Sequence, residues 1–227
     1  MKITWLGQAG LLFEVDNKKI LIDPYLSNGV EEVEPHNVRR VPIDQSFLTI
    51  KPDVIVITHS HLDHFDKKTL RYYLDERSNV TVLAPSGTWQ EVRKFRGLKN
   101  NYVLFDSGTI WSEEFATFRA VNAVHSDKNA IGIIICVNGK NYYITGDTLY
   151  SERVLESVKG VTFDYLFLPI NGVGNNMNAL DARLFSQKIN AKNSVPIHYG
   201  MFDDIKVADV ELKNKKILQI YKTITTE

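Results

Sequence analysis

The amino-acid sequence predicts an α/β protein in which two mixed sheets pack face to face and helices cover their outer faces. Strand-like segments come first, strands then alternate with helical segments, and the elements fall into two successive halves. No internal repeat, low-complexity tract or long polar linker interrupts the chain. We therefore expect a single domain over residues 1–227, a length that is sufficient to bury a sizeable core.

The first half is predicted to begin with three short strands and to continue with buried strands and capped helices. The early segments are rich in apolar and β-branched residues, and turn residues separate them. A near-continuous apolar run after Pro52 is typical of a strand buried on both faces, and Asp66 is placed to cap the helix that follows. The predicted elements are strands ITWLG, GLLFEV, KKILID, PDVIVIT and NVTVLAP and helices KKTLRYYLDER and SGTWQEVRKFR.

The second half is predicted to hold three successive strands, followed by alternating helices and strands. An Asn-Gly pair between the second and third of these strands indicates a tight hairpin turn. The predicted elements are strands EEFATFRAVNAV, AIGIIICVNG and KNYYITG, helix SERVLESVKG, strand FDYLFLPI, helix NALDARLFSQKIN, strand NSVPIH and a last strand KKILQIYK.

Composition narrows the class of protein. Lys and Arg together number 27, as do Asp and Glu, so the formal net charge is zero and a nucleic-acid partner is disfavoured. The single cysteine, Cys136, lies in the apolar run IGIIICV, where we expect a buried packing role and no disulfide within the chain. The sequence shows no signal peptide and no apolar run near the ~20 residues of a membrane span. We expect a cytoplasmic protein without a membrane partner, and a homo-oligomer is left open.

The segment THSHLDHFD, residues 58–66, is the strongest functional signal. Residues two apart share a face of an extended segment but not of a helix. His59, His61 and Asp63 therefore point the same way if the chain stays extended after strand VIVIT and turns before the next helix. Asp63 and His64 then diverge at the turn, as two neighbouring metal sites require. The alternative is a surface loop with incidental histidines, although the chain has only six histidines in all.

Three further candidate ligands follow strands later in the chain: His125, Asp147 and His198. Each of them alone has a plainer interpretation as a turn or hydrogen-bonding residue. With the four earlier candidates they make seven nitrogen and oxygen ligands, enough for two divalent cations with a bridging carboxylate. Imidazole with carboxylate suits Zn²⁺ best, and also Mn²⁺ or Fe. Two such ions ~3.5–4 Å apart would lower the pKa of a bridging water and polarise a substrate oxygen.

The same residues resemble a known family. THSHLDH matches the HxHxDH motif of the metallo-β-lactamase superfamily. The segments WLGQAGLLFE, DPYLSN, AVHSD, YYITGDTLY, LPINGVGNNMN and PIHYGMF look like the branch that contains L-ascorbate-6-phosphate lactonase and related metal-dependent hydrolases. The resemblance implies a four-layer αβ/βα sandwich with the site at one edge of its two sheets. It also implies one metal held by His59, His61 and His125, a second held by Asp63, His64 and His198, and Asp147 as the bridge. The WLG motif often continues with His in relatives, so the resemblance carries no role to Gln8.

Two other stretches are candidates for substrate binding. Arg39 and Arg40 lie in the long connection of residues 23–44, and planar guanidinium groups suit phosphate or carboxylate. The alternative for this pair is a solvated basic turn, or salt bridges with the nearby EEVE. Asn171 follows strand FDYLFLPI at the same edge as the ligands, where it would hydrogen-bond a substrate or a ligand carboxylate, and a plain turn is the alternative. His36 is interpreted as a surface residue.

The sequence thus predicts a dinuclear metal-dependent hydrolase in which a metal-bridging hydroxide attacks a small anionic ester or lactone and Asp63 helps to steer the proton. The resemblance and the paired arginines make a phosphorylated sugar lactone the leading substrate class. One alternative is a phosphodiesterase or nuclease on the same scaffold, although the fifty residues between Asp147 and His198 leave no room for a large extra nuclease domain. The other is a non-hydrolytic metal-binding or redox protein, although no flavin domain accompanies the site.

Overall fold

Each of two units of the chain is built around one sheet in the computed structural model, which describes residues 1–95, 97 and 99–226. The first unit comprises Met1–Phe105, Gly200–Phe202 and Leu218–Glu227, and the second comprises Asp106–Tyr199 and Asp203–Ile217. One domain over residues 1–227 stays a prediction. Within the described residues, no helix is long and apolar enough to cross a membrane.

The first unit holds a mixed seven-stranded sheet. Its strands are β1 (Lys2–Gly7), β2 (Gly10–Val15), β3 (Lys18–Ile22), β4 (Val54–Val56), β5 (Thr81–Ala84), β6 (Asn101–Leu104) and β13 (Thr223–Thr225). Their order is β13-β1-β2-β3-β4-β5-β6, antiparallel as far as β3 and parallel from β3 to β6. The helices are α1 (Gly29–Val33), α2 (Lys67–Tyr73) and α3 (Ser86–Val92), and a 3-10 turn spans Gln45–Thr49.

Helix α2 begins where its sequence predicts. The Asp66 side chain accepts a hydrogen bond from the Lys68 backbone N–H at 3.0 Å, which satisfies one of the free donors of the first turn. Leu70 and Tyr73 on its inner face are buried in one apolar cluster with Ile55 of β4 and other core residues. The cap and the buried face together place the segment between β4 and α2 over the carboxyl end of β4.

The second unit holds a mixed six-stranded sheet. Its strands are β7 (Ile110–Glu113), β8 (Ala116–Asn122), β9 (Ile131–Val137), β10 (Lys140–Ile144), β11 (Tyr165–Pro169) and β12 (Asn193–Ile197). Helices α4 (Glu152–Ser157) and α5 (Ala179–Ile189) belong to the same unit, as does a 3-10 turn at Val207–Asp209. The predicted Asn-Gly hairpin joins β9 to β10, with φ of +50° at Asn138 and +75° at Gly139.

Four strands of the second sheet end at one edge. The spatial order is β12-β11-β10-β9-β8-β7, and β9 is antiparallel to both β8 and β10. Because β11 and β12 are parallel to β10, the strands β8, β10, β11 and β12 all run in one direction. Residues that follow these four strands therefore lie along the same edge, here called the carboxyl edge of the second sheet.

The predicted last strand is wrong. Over KKILQIYK the structure has only isolated bridges, from Lys215 to Ser194 and from Ile220 to Trp5, and the last strand is β13. Residues up to Ile217 belong to the second unit and those from Leu218 to the first, so the segment does not run along either sheet. The sequence also missed β6 and β7, which have no fully buried residue.

Two smaller predictions also need correction. The helix predicted over SGTWQEVRKFR ends at Val92, no side chain caps its first turn, and the predicted end at residue 96 lies outside the described residues. Cys136 in β9 is half-buried rather than fully buried.

Candidate metal centre

The first-unit cluster, defined as His59, His61, Asp63 and His64, follows strand β4. The backbone N–H groups of His64 and Phe65 both donate to the His61 carbonyl oxygen, at 3.0 and 2.7 Å. A turn therefore begins at His61, and the prediction that the extended segment reaches Asp63 is wrong. The early turn has a packing reason, because it brings Phe65 into the apolar core, where it is buried.

The histidine rings of the first-unit cluster lie against one another. The centroid of the His59 ring is 4.0 Å from that of His64 and 4.6 Å from that of His61. Both neighbours place a ring nitrogen within 4.8 Å of one on His59. His59 and His64 are fully buried, whereas His61 is half-buried. Imidazole nitrogens at this spacing are suitable ligands for a divalent metal ion.

A buried network determines which ring nitrogens carry protons. Asp23, which follows β3, accepts bonds from the Thr58 N–H at 2.8 Å, the Thr58 hydroxyl at 2.5 Å and Nδ1 of His64 at 2.7 Å. The Thr58 hydroxyl gives its only proton to Asp23, so His59 Nδ1 must be the donor across the 3.0 Å contact to Thr58 Oγ1. Both histidines therefore carry the proton on Nδ1 and the lone pair on Nε2, the atom that can bind a metal ion.

Asp63 has two close neighbours within the first unit. Its Oδ2 accepts a hydrogen bond from Nε2 of Gln8 at 2.8 Å and lies 3.7 Å from Nε2 of His64. Gln8 is buried in the turn between β1 and β2, and the sequence assigned no role to it. The available signal was a glutamine within the otherwise apolar run WLGQAGLLF, but 55 positions separate it from Asp63, so only the fold joins them.

The second-unit cluster comprises His125, Asp147 and His198, which follow β8, β10 and β12 at the carboxyl edge. Asp147 Oδ2 lies 3.2 Å from Nε2 of His198 and 3.9 Å from Nε2 of His125, and it accepts a hydrogen bond from the Asn176 amide at 2.9 Å. Nδ1 of His125 lies 3.2 Å from the Asn175 carbonyl oxygen, so Nδ1 is the donor and Nε2 carries the lone pair. The structure thus brings together the three residues that the sequence placed at separate strand ends.

Left-handed backbone conformations occur in both clusters or their supports, and at Gln8 and His198 the residue type makes them unusual. Gln8, Asp23 and His198 have φ of +48°, +42° and +59°, in the left-handed region that residues other than glycine, asparagine and aspartate rarely adopt. Such conformations persist where the surrounding structure determines them, and they are common at functional sites. In each of these three residues the side chain is a member of a cluster or hydrogen-bonds to one.

Arg39 is engaged by its own loop and by Tyr221. Its Nε donates to the Val41 carbonyl oxygen at 2.7 Å, and its Nη1 donates to those of Tyr25 and Ser27 at 3.1 and 3.4 Å. Its Nη2 donates to the Tyr221 hydroxyl at 3.2 Å, and the guanidinium lies 5.0 Å from the centre of the Tyr25 ring. These contacts stabilise the long connection and favour the structural alternative over substrate binding by Arg39.

The other predicted residues differ in their surroundings. Arg40 is exposed, and its backbone N–H donates to the Met201 carbonyl oxygen at 3.0 Å. Asn171 follows β11 at the carboxyl edge, and its buried Oδ1 has no hydrogen-bond partner within the part of the chain that the structure describes. His36 is exposed, as predicted. Tyr199, beside His198, is buried, and this burial raises the pKa of its hydroxyl to about 12.

The chemistry of the donors suits divalent metal ions. In three of the histidines Nδ1 contacts a protein oxygen, so Nε2 is the nitrogen that carries the lone pair: His59, His64 and His125. This arrangement is the usual one for metal-binding histidines, because the partner of Nδ1 determines both the tautomer and the ring orientation. Carboxylates beside imidazoles complete a nitrogen and oxygen set that suits Zn²⁺, Mn²⁺ or Fe.

Comparison with known proteins places the chain in a family. A model of the beta-lactamase superfamily domain matches residues 2–198. The chain is 30% identical to a UPF0173 metal-dependent hydrolase of Staphylococcus aureus (strain bovine RF122 / ET3-1) over 237 residues, covering 93% of this chain and 96% of that protein.

Two solved structures establish the fold. Igni18, a metallo hydrolase from the hyperthermophilic archaeon Ignicoccus hospitalis KIN4/I, has a TM-score of 0.76 at 21% identity and covers 100% of this chain and 98% of its own. The metallo-beta-lactamase fold protein YhfI from Bacillus subtilis has a TM-score of 0.71 at 15% identity, with 99% of both chains covered. The predicted α/β sandwich of the metallo-β-lactamase type is thereby confirmed. The chain belongs to the beta-lactamase superfamily and, within it, to the UPF0173 metal-dependent hydrolases.

Proposed function

We propose that this metal-dependent hydrolase uses two divalent metal ions to hydrolyse a small anionic ester or lactone. As the sequence resemblance implies, His59, His61 and His125 would hold one ion, Asp63, His64 and His198 would hold the other, and Asp147 would contribute to both. The observation that carries the proposal is that Nδ1 of His59, His64 and His125 lies against a protein oxygen in each case, which is the usual arrangement of metal-binding histidines and assigns the lone pair to Nε2. When bound, two such ions lower the pKa of a water molecule and polarise the substrate oxygen.

Each carboxylate has a separate task in this proposal. Asp147 Oδ2 lies between His198 and His125 and accepts the Asn176 amide, which holds the carboxylate in one orientation. Asp63 would help to hold a metal ion and would also accept the proton that the attacking water loses. Because Gln8 and His64 both approach Oδ2 of Asp63, we assign the proton to its Oδ1.

A phosphorylated sugar lactone is the substrate class that we propose. Arg40 is exposed and is the candidate for binding the anionic group, since Arg39 donates to its own loop and to Tyr221. Asn171 offers its buried carbonyl oxygen to a substrate hydroxyl. Zinc is the proposed native metal, with manganese or iron as alternatives, and a cytoplasmic location stays a prediction.

The test combines metal analysis with a substrate panel. Protein purified without added metal is analysed for its elements and assayed on phosphorylated lactones and on bis-p-nitrophenyl phosphate. We expect two equivalents of metal in the wild type, and lower metal content and activity in His61→Ala and Asp147→Ala. His36→Ala is the matched control, because it removes an exposed histidine outside both clusters.

The outcomes separate the alternatives. Full metal content and full activity in both His61→Ala and Asp147→Ala would refute the dinuclear site. Turnover of the phosphodiester but not of any lactone would replace the lactonase proposal with a phosphodiesterase on the same centre. A metal-loaded protein that hydrolyses neither and shows visible absorption would support the redox alternative.

A further inference from the structure

Gln8 occupies a turn position whose left-handed backbone conformation favours shorter residues. It follows Gly7 in the two-residue connection between β1 and β2, with Gly7 and Gly10 as register partners. Its φ of +48° is left-handed, and glycine, asparagine and aspartate adopt this conformation more readily than glutamine. The side chain is nevertheless buried, with 3% of its surface exposed. A long side chain at a strained backbone position suggests that the contact made by its end is functional.

The main chain of Gln8 is held by a hydrogen bond from Trp5. The indole N–H of Trp5 donates to the Gln8 carbonyl oxygen at 2.9 Å in a buried contact. Gly7 has φ of +89°, and a Cβ atom there would lie 2.6 Å from the terminal methyl of Met201. The turn is therefore constrained on both sides, and the direction in which Gln8 extends is fixed.

The side chain of Gln8 ends on Asp63 of the first-unit cluster. Nε2 donates to Oδ2 at 2.8 Å, and a carboxylate that only accepts requires the amide nitrogen on that side. The same Oδ2 lies 3.7 Å from Nε2 of His64, which carries the lone pair of that ring. The amide thus holds the carboxylate with Oδ2 beside the nitrogen proposed to share its metal ion.

We propose that Gln8 is a positioning residue, which holds Asp63 ready to bind metal by donating its amide N–H to Oδ2. This inference rests on the proposed function, in which Asp63 and His64 share an ion. A carboxylate already oriented loses less rotational freedom when the ion binds, and partners of this kind commonly affect metal affinity about 10–100-fold. The sequence resemblance assigned nothing to this position.

Two substitutions test the inference by competition of the protein with a metal chelator. Gln8→Asn suits the left-handed backbone but is one methylene shorter, and Gln8→Met has nearly the same length but no donor. We expect each to weaken metal binding about 10–100-fold, while the unfolding midpoint of the metal-free Gln8→Asn protein stays close to that of the wild type. Asp16→Asn is the matched control, since Asp16 has φ of +52°, is exposed and lies in the turn between β2 and β3.

The possible results distinguish this inference from the proposed function. Wild type and Gln8 variants that bind metal equally tightly would overturn the positioning role and leave the metal centre intact. A lower unfolding midpoint in the Gln8 variants, with unchanged metal affinity of the folded protein, would assign Gln8 a purely structural role and also overturn it. A wild type that binds no metal would refute the proposed function, and the inference with it.

Discussion

The two ligand clusters are built by different routes. The first-unit cluster takes four residues from one short segment, residues 59–64, which closes into a turn at His61. The second-unit cluster takes its three residues from the ends of three different strands, spread over residues 125–198. The first is specified mainly by local sequence, whereas the second exists only because β8, β10 and β12 run in the same direction.

The supports of the two clusters differ as well. Side chains hold the first-unit cluster: Asp23 and Gln8 come from distant turns, and Thr58 directly precedes His59. In the second-unit cluster the Asn175 main-chain carbonyl orients His125, and the Asn176 side chain holds Asp147. A main-chain partner cannot be removed by substitution. We therefore expect the first-unit cluster to be more sensitive to changes in its supports.

The largest effect is expected from Asp23→Asn. Asparagine tolerates the left-handed backbone of Asp23 and keeps an acceptor for Thr58, but it presents an amide N–H to Nδ1 of His64. The ring would then move its proton to Nε2 and lose the atom proposed to bind metal. Metal affinity should fall by up to about 100-fold, measured by chelator competition.

A control for this variant lies in the same unit. Asp53→Asn changes a carboxylate that accepts from the Lys19 N–H and from Lys18, at the start of β4. It should leave metal affinity unchanged. Equal affinities in Asp23→Asn and wild type would show that His64 does not depend on this support.

The next effect concerns the strand packing on which the second-unit cluster depends. A Cβ atom at Gly132 in β9 would lie 2.9 Å from the Thr145 carbonyl oxygen and 3.1 Å from Val121 Cγ2. Because Thr145 lies two residues before Asp147, relief of this clash has to move the end of β10. Gly132→Ala should lower the free energy of unfolding by about 1–3 kcal/mol in urea titrations and should also weaken metal binding.

Cys136→Ala provides the comparison within β9. Cys136 is half-buried and pairs with Asn141 near the start of β10, away from the carboxyl edge. Its truncation should leave metal affinity unchanged. A Gly132→Ala protein as stable as the wild type would contradict this prediction, because it would show that the neighbouring strands accommodate the extra methyl group without cost.

A smaller effect is expected from Asn176→Ala. The substitution removes the amide that donates to Asp147 Oδ2, while the main-chain support of His125 stays in place. We expect metal affinity to fall about 10-fold, the lower end of the range for such partners. Asn175→Gly is the matched control, because it keeps the carbonyl and suits the φ of +66° at that position. A loss as large as that of Asp23→Asn would remove the difference between the two clusters.

The same contrast explains how much could be predicted from sequence. The spacing of His59, His61 and His64 predicted a metal site directly, and apolar runs before His125 and His198 placed those residues at strand ends. Most strands were found because their residues are buried on one or both faces. The half-exposed strands β6 and β7 lack that pattern and were missed.

The supports of the site could not be predicted, for a physical reason. Gln8 and Asp63 are 55 positions apart, and His64 and Asp23 are 41 apart. No periodicity links such pairs, since their contact depends on how β1, β3 and β4 pair within the sheet. The contacts of Arg39 could not be predicted either, because its partners are mainly main-chain carbonyls, which every residue possesses.

The smallest effect lies at the opposite edge of the second sheet, where Asp164 accepts from the Lys192 ammonium at 2.8 Å and the Asn141 N–H at 3.0 Å. Burial raises the pKa of Asp164, but these two donors outweigh it and hold the pKa below its usual range. A carboxyl whose pKa is lowered by folding stabilises the protein above the unfolded value of about 3.9, and this contribution is lost as the pH falls through the folded value. Since Lys192 is largely exposed, Asp164→Asn should cost less than about 1 kcal/mol at pH 7. In urea titrations the difference from wild type should vanish as the pH falls below about 4, while metal affinity at pH 7 stays unchanged. A change in metal affinity would instead mean that the carboxyl edge depends on the whole length of the sheet, and the second-unit cluster would then be the more sensitive of the two.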